Sequence, residues 1–577
     1  MAARVTALVV ALVVGATLAA GLIVRAQRDD GTTLADLVVR NGRVFAADGG
    51  VALGEAVAVR GNRVLRVGTN AEIDRLRRPD TVVVDARGGT VMPGFNDGHV
   101  HFVSGGLGLE KVDLLDAPTL DRIREKITAF AAAHPDRPWV LGRGWYYEPF
   151  PGGLPTRQVL DELVPDRPAL MVCYDGHTSW ANSRALALAG ITRDTPDPPN
   201  GVVVKDPRTG EPTGVLKEAA QRLLDRVVPE PTREDRLRAI RAGMQNAHRL
   251  GVTSVQNASG GAEEFELYDQ LKRAGELKLR VYSAVSLDAT ATEADAARLG
   301  ALRARYGDDP LFRTGAVKLM IDGVIEAHTA VMLAPYANRP DTTGTPMHSQ
   351  AKLDRVVALM DRHGWQVMIH AIGDGGIRMA LDAYERAAAA NPAPERGRRH
   401  RIEHIESTDP ADIPRFGRLG VVASMQPFHA NPSPNQINVW SGNIGPERAS
   451  RGWVYRSIGD AGGRLVFGSD WPVVTLDPRM GVNMAVNRAT PDGIPPGGWY
   501  PAERMPLARA LEAYTSGAAW ASFEEARKGR LAPGMLADIV VLSADLFELP
   551  AARLLDATVT ATIFDGQVVY SADRPGH

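Results

Sequence analysis

The sequence predicts an α/β chain: a (β/α)8 barrel of the TIM type, with a composite β-sandwich domain drawn from both termini and an insert after the first barrel strand. Three observations carry this. Eight short apolar runs alternate with amphipathic stretches through the middle of the chain. The two ends share another texture, short β-rich runs punctuated by Asn-Gly and Asp-Gly. The stretch 103–250, between the first and second apolar runs, is too long for a single crossover and has room for a subdomain.

The first segment, 1–26, is read apart from the fold. Met1 to Arg4 is short and weakly basic, and the chain then stays apolar and uncharged until Arg25. That length lies between a secretory core and a spanning helix. It reads as a signal peptide, cleaved before Gln27, or as a retained N-terminal membrane anchor. Either way the body is expected to be exported: periplasmic, secreted or anchored. No Cys follows the run, which excludes a lipoprotein anchor.

From 34 to 90 the pattern is short β. Ala35 to Val39 leads to Asn41-Gly42 and Arg43 to Phe45, which reads as a hairpin because Asn-Gly suits positive φ. A second turn falls at Gly61-Asn62. The same grammar returns in 525–577, with Ala537 to Leu542 and a hairpin around Asp565-Gly566. The two ends are expected to form one sandwich. The barrel is placed at 91–524, with the insert at about 105–245. Its strands are read at 90–92, 252–255, 279–287, 316–321, 366–369, 401–403, 421–424 and 465–467, with helices such as 263–274, 351–363 and 377–390 between them. The basic run 394–401 reads as a solvated connection.

Composition narrows the function. Lys and Arg number 66 against 68 Asp and Glu, a net charge of −2, which does not favour nucleic acid as a partner. Hydrophobic residues at 44% and charged residues at 23% are those of a globular chain. Cys173 is the one cysteine, so no intrachain disulfide or Cys-rich metal cluster can form.

The chemistry gathers at strand ends, where barrel enzymes build their sites. His99 and His101 follow the first strand. In extended chain, residues i and i+2 point the same way, so two imidazoles can face one ion. His370 and His404 close later strands, Asp470 follows another, and Lys318 lies inside an apolar one. A lone strand-end His is ordinarily core packing. A buried Lys is harder to dismiss, because an unpaired ammonium costs several kcal/mol. Together, four imidazoles, a carboxylate and an amine suit Zn²⁺ or a similar divalent ion.

These motifs resemble the amidohydrolase superfamily, and within it the amidohydrolase family 3 branch of YtcJ-like and N-substituted formamide deformylase-like proteins. The matches run in order as PGFNDGHVH, GRGW, DGHTSWANSRAL, PTGVLKEAA, GVTSV, KLMIDGVIEAHTAVMLAPY, IHAIGD, RIEH, FGSDWPV and GMLADIVVL, and cover nearly all of 34–572. The resemblance implies the barrel and composite sandwich, and one or two divalent metal ions, with Zn²⁺ expected. It implies His99 and His101 as ligands of a first metal, a carboxylated Lys318 as a bridge, His370 and His404 on a second, and Asp470 on the first metal and a water. Glu326 and His328 are nearby candidates, either as substitutes for the bridge or as substrate contacts.

On this reading Asp470 is the catalytic acid–base, taking a proton from water and passing it to a leaving nitrogen. The substrate is a small molecule with an amide-type C–N bond, such as an N-formyl or N-acyl amine. Cyclic amide or imide opening and heterocycle deamination are the alternatives, and an exported, non-catalytic metal- or ligand-binding protein is a further one. Substrate-binding residues are expected in the insert, at Trp145 and His177, with Arg143, Tyr146 and Tyr147 nearby, as well as at Glu326 and His328. Phe428 and His429 are expected at the mouth, and Glu403 and Glu406 beside His404 as carboxylate partners of metal-bound imidazoles. A homo-oligomer, a dimer, is the expected assembly.

Overall fold

The computed structural model describes residues 34–49, 54–147, 149–173, 178–199 and 201–573. The apolar segment 1–26 and His177 lie outside them. Among the described residues no helix is long and apolar enough to cross a membrane.

Eight parallel strands form the central sheet: β1 (Phe95–Val100), β2 (Val252–Gly260), β3 (Arg280–Ser286), β4 (Phe312–Met320), β5 (Gln366–Ala371), β6 (Arg401–His404), β7 (Val422–Met425) and β8 (Arg464–Phe467). They lie side by side in chain order. The edges meet just beyond β8, where Asp470 N donates to His99 O at 2.7 Å and His101 N to Trp471 O at 2.8 Å. Glycines permit this closure. A Cβ on Gly98 would lie 2.2 Å from Val466 Cγ1, and one on Gly468 would lie 2.4 Å from the His99 nitrogen. The Asp97 carboxylate staples the same seam by accepting from His99 N at 3.1 Å and Ser469 N at 2.9 Å.

The first barrel strand therefore differs from the expected 90–92. Thr90–Pro93 pairs instead with Arg43–Val44 and Ile539–Leu542. With Val559–Phe564 and Gln567–Ser571 these strands make a five-stranded sheet. A four-stranded sheet of Arg63–Gly68, Ala56–Arg60, Leu37–Arg40 and Val82–Asp85 packs on it through Val39, Val57, Val91, Ile539 and Ile563. The turn at Asn41-Gly42 is not a hairpin, since Leu37–Arg40 and Arg43–Val44 belong to different sheets and the chain crosses between them. The turns at Gly61 and at Asp565-Gly566, with φ of 56°, 51° and 79°, do close antiparallel hairpins. Arg280, at the start of β3, locks sandwich to barrel by pairing with Asp538 at 2.6 Å and Asp565 at 2.7 Å. The sandwich thus sits at the end of the barrel where strands begin.

The insert holds a six-stranded sheet between Val112–Asp113 and Pro212–Glu218, with apolar clusters that include Trp145, Trp180 and Met171, and Leu170, Leu186 and Leu216. The insert sheet ends earlier than 245. The helix Arg233–Arg249, started by a Thr232–Asp235 capping box, packs on the barrel with Leu237, Ile240, Met244 and Ala247, one face at helical spacing. The basic run also differs from expectation: Arg398 pairs with Asp361, Arg399 with Glu525, and Arg401 is fully buried inside the barrel.

Candidate metal centre and active site

The C-terminal ends of the strands enclose a cavity of about 600 Å³. His101, Lys318, His370, His404 and Asp470 line it, and the buried His99 lies beside them, its ring 5.6 Å from that of His101 and 4.9 Å from that of His404. The His370 and His404 rings are 4.5 Å apart. The six residues named from the sequence thus converge, because each sits at or just beyond a strand end.

Each imidazole is held by one nitrogen. His99 Nδ1 meets Glu403 Oε2 at 2.6 Å, His101 Nδ1 meets Ser259 Oγ at 2.7 Å, and His404 Nδ1 meets Gln426 Oε1 at 2.8 Å. His370 Nε2 meets Gly323 O at 3.2 Å. The other nitrogen of each ring is left for a ligand. Asp470 is the common focus: Oδ1 lies 3.4 Å from His99 Nε2 and 3.2 Å from His101 Nε2, while Oδ2 faces His404 and His429.

The electrostatics follow from burial. It lowers His99 to about 4 and His370 to about 3, with Lys318 pushing the same way, and it holds His404 well below the ordinary imidazole range. The neutral rings that result are the ligating form. Burial also lowers Lys318, which has no ion pair within 4 Å among the described residues. For Asp470, burial works to raise the carboxyl, but the imidazoles, His99 foremost, override it and keep it ionised. His404, Ile405 and Asp470 have φ of 78°, 57° and 62°. Left-handed backbone at non-glycine residues costs about 1–3 kcal/mol each and concentrates at functional sites.

A divalent cation fits this donor set. With Nδ1–H given to Glu403, His99 Nε2 carries a lone pair. It faces Asp470 Oδ1 across 3.4 Å, and both atoms are buried without a hydrogen-bond partner. Two acceptors so placed repel unless a cation lies between them. Ligands about 2.0–2.2 Å from one tetrahedral ion stand roughly 3.3–3.6 Å apart, close to the spacing seen. Donor atoms of His99, His404 and Asp470 also lie within 4.8 Å of one another.

Behind the metal-facing groups lies a buried ionic network. Arg401 donates to Glu403 Oε1 at 2.9 Å, to Gly98 O at 2.7 Å, to Ser424 Oγ at 2.8 Å and to Gln256 Oε1. Burial works to raise the Glu403 carboxyl, but Arg401, and after it His99, hold it well below the usual range. Asp322, fully buried, accepts from Val331 N at 2.9 Å, Ile372 N at 3.1 Å and Gly373 N at 3.0 Å, which pins the loop after β4 to β5. Ser259, Gln426 and Asp322 were not named from the sequence. Their common signal is position, since each lies at a strand's C-terminal end as the six do.

The expected substrate contacts divide. Glu326 lines the cavity. Trp145 does not: it is fully buried in the insert core, packed on Phe150 and Trp180, with its Nε1–H given to Met171 O at 2.9 Å. His328 turns away from the cavity, its Nε2 meeting Asn338 Oδ1 at 2.9 Å and its ring packing on Tyr336. Among the described residues the cavity wall comes from the segments that follow β4 to β8 and not from the insert. Phe428 and His429 do line it, and so does Glu406.

Residues 82–570 match the model of the amidohydrolase family. The protein LONG AFTER FAR-RED 3 of Arabidopsis thaliana is 33% identical over 93% of this chain and 92% of its own length. N-substituted formamide deformylase of Arthrobacter pascens is 29% identical over 93% of this chain and 99% of its own. Among solved structures, an uncharacterized metal-dependent hydrolase from Pyrococcus furiosus superposes with a TM-score of 0.69 at 26% identity, covering 88% of this chain and 99% of that one. The chain belongs to the amidohydrolase family, and so to the hydrolases that act on carbon–nitrogen bonds.

Proposed function

We propose that the protein is a metal-dependent hydrolase that cleaves the C–N bond of a small N-formyl or N-acyl amine. The observation that carries this is the set of four imidazoles, each anchored by one nitrogen, of which His99, His101 and His404 lie within 4.0 Å of the Asp470 carboxylate and His370 packs on His404 at the same cavity. The formamide specificity of the Arthrobacter relative favours the acyclic amide over cyclic amide opening or heterocycle deamination.

On this reading His99, His101 and Asp470 hold one divalent ion, Zn²⁺ by ligand type, and His370 and His404 face a second position. Lys318 lines the same cavity, and the neutral amine that burial favours is the form that would add CO₂ and release a proton to become a carbamate, a further anionic ligand for the metal. A metal held there supplies Lewis acidity that acidifies a water and polarises the scissile carbonyl. Asp470 Oδ2 accepts the proton of the attacking water and delivers it to the leaving nitrogen. Glu403, Ser259 and Gln426 hold the rings in place so that this geometry exists before substrate arrives.

The test is release of formate or another carboxylate from an N-acyl amine panel by metal-loaded protein. Turnover that chelator abolishes and Zn²⁺ restores supports the reading. Ammonia as the product would replace it with deamination, and bound metal without turnover on any amide, imide or ester would replace it with a binding role. The same reading includes export, argued from the apolar segment before Arg25, and a homodimer. Cell fractionation and light scattering test these two points.

A further inference from the structure

Two carboxylates face the cavity beyond the residues used above. Glu326 stands on the loop after β4, and Glu406 follows β6. Neither has a Lys or Arg within 4 Å among the described residues, and His429 Nδ1, 3.9 Å from Glu406, is the nearest basic group. Glu406 is buried and Glu326 half-buried, and a buried carboxylate ordinarily carries a paired cation. Lys318 is the one Lys or Arg among the lining residues, and it lies at the metal centre.

Both acids are held in place. Glu406 Oε2 accepts from Trp440 Nε1 at 2.8 Å, which leaves Oε1 on the side of His429. The backbone at Glu326 is fixed by Asn443, whose Nδ2 donates to Ile325 O at 3.0 Å and Glu326 O at 3.1 Å, while Asn435 donates to the Glu326 side chain at 3.3 Å. Met320, Val324, Ile372, Phe428 and Val473 make one part of the wall apolar, and Asn431, Ser433, Asn435 and Gln436 make another part polar and uncharged. Two pinned acids and a partly apolar wall around one cavity describe the complement of a particular ligand. Burial, and after it Glu406, push the Glu326 carboxyl up to about 7 while His429 pulls it down, so the protein's compensation for that charge is partial and comes from an imidazole shared with Asp470.

We infer that the substrate carries a protonated amine or comparable cationic group on an apolar body, seated against Glu326 and Glu406, and that the pocket turns away carboxylate-bearing amides such as N-acyl amino acids. The inference rests on reading this cavity as the active site of a hydrolase. It excludes by like charge as much as it selects by attraction.

The test uses three N-formyl benzylamines that differ only in the para group: aminomethyl, methyl and carboxylate. Metal-loaded full-length protein is assayed for formate release. In parallel, the shift in melting temperature that each intact formamide gives to metal-free full-length protein is measured, a readout that needs no turnover. The expected order is cation, neutral, anion, with at least about a tenfold kcat/KM gap between the charged pair, as charge complementarity of this kind gives. Glu326→Gln narrows the gap and Glu326→Lys inverts it, with metal content per chain unchanged in both. Turnover without this order, or with the anion ahead, overturns the inference and leaves the hydrolase reading standing. No turnover of any compound, but a larger melting shift from the cationic compound than from the carboxylate, supports the inference and removes the formamide reading. No turnover and no difference in shift overturns the inference.

Discussion

Replacing Glu403 by Gln separates what holds the fold from what holds the metal. Arg401 and Glu403 are both fully buried and pair at 2.9 Å. Gln keeps the shape and still accepts from His99, but it removes the charge. Stranding one partner of a buried ion pair costs about 3–5 kcal/mol. Arg401 keeps its bonds to Gly98 O, Ser424 and Gln256, which places the expected loss near the low end, about 3 kcal/mol. Losing the carboxylate behind a metal-binding His weakens metal affinity by about 10–100-fold, or roughly 1.4–2.7 kcal/mol. The double variant Arg401→Met/Glu403→Gln buries no stranded charge and is expected to recover about 2 kcal/mol of folding stability, because an apolar replacement for a buried pair is close to neutral. It leaves His99 without its carboxylate and is not expected to recover metal affinity. Denaturant unfolding of metal-free protein reads the first quantity, and competition with a chromophoric chelator reads the second. If Glu403→Gln binds metal as tightly as wild type, or if the double variant restores both quantities, Glu403 does not position His99 for a metal.

Other outcomes follow from the same geometry. Asp470→Asn is expected to retain metal and to lose about 10²-fold or more in kcat, as removal of an acid–base group does; metal analysis beside formate release checks it. Gly468→Ala would set a Cβ 2.4 Å from the His99 backbone nitrogen, at the closing seam, and is expected to cost more than the roughly 1–3 kcal/mol of ordinary overpacking, read by denaturant unfolding. Trp145→Phe is expected to lower stability by about 1–3 kcal/mol through the lost bond to Met171 O, with KM unchanged in steady-state assays. In metal-free protein, His99 and His370 titrate near 4 and 3 when folded and near 6.5 when unfolded. The unfolded chain therefore binds more protons as pH falls below 6.5, and stability is expected to drop towards pH 4 by up to about 1.4 kcal/mol per group per pH unit; denaturant midpoints across that range read it.

Much of the barrel was legible because buried parallel strands read as apolar runs, and because the site residues sit where such strands end. Seven of the eight runs read from the sequence fall on barrel strands. The first does not, and the reason is physical. Phe95–Val100 contains Asn96, Asp97 and Gly98, which β propensity disfavours. Asp97 is the staple across the closing seam, and Gly98 is the gap that lets β8 approach, so tertiary pairing sets this strand. The apolar 90–92 looked the better strand, and it is one, but in the sandwich. Trp145 was misread because an aromatic run in a sequence looks the same whether it packs a core or lines a mouth. Ser259, Gln426 and Asp322 went unnamed because their role appears only once the ring or loop they hold is seen beside them. Glu403 was visible as a neighbour of His404, yet the ring it holds is His99, a partner more than 300 positions away and outside the reach of local spacing.

The convergence of His99, His101, His370, His404, Lys318 and Asp470 on a divalent ion is the central claim. Anomalous diffraction from crystals grown with Zn²⁺ tests it most directly. A peak about 2.0–2.2 Å from His99 Nε2, His101 Nε2 and an Asp470 oxygen is the expected result. A fully metal-saturated crystal with no peak inside that ring of imidazoles, or with its zinc bound elsewhere, would contradict it.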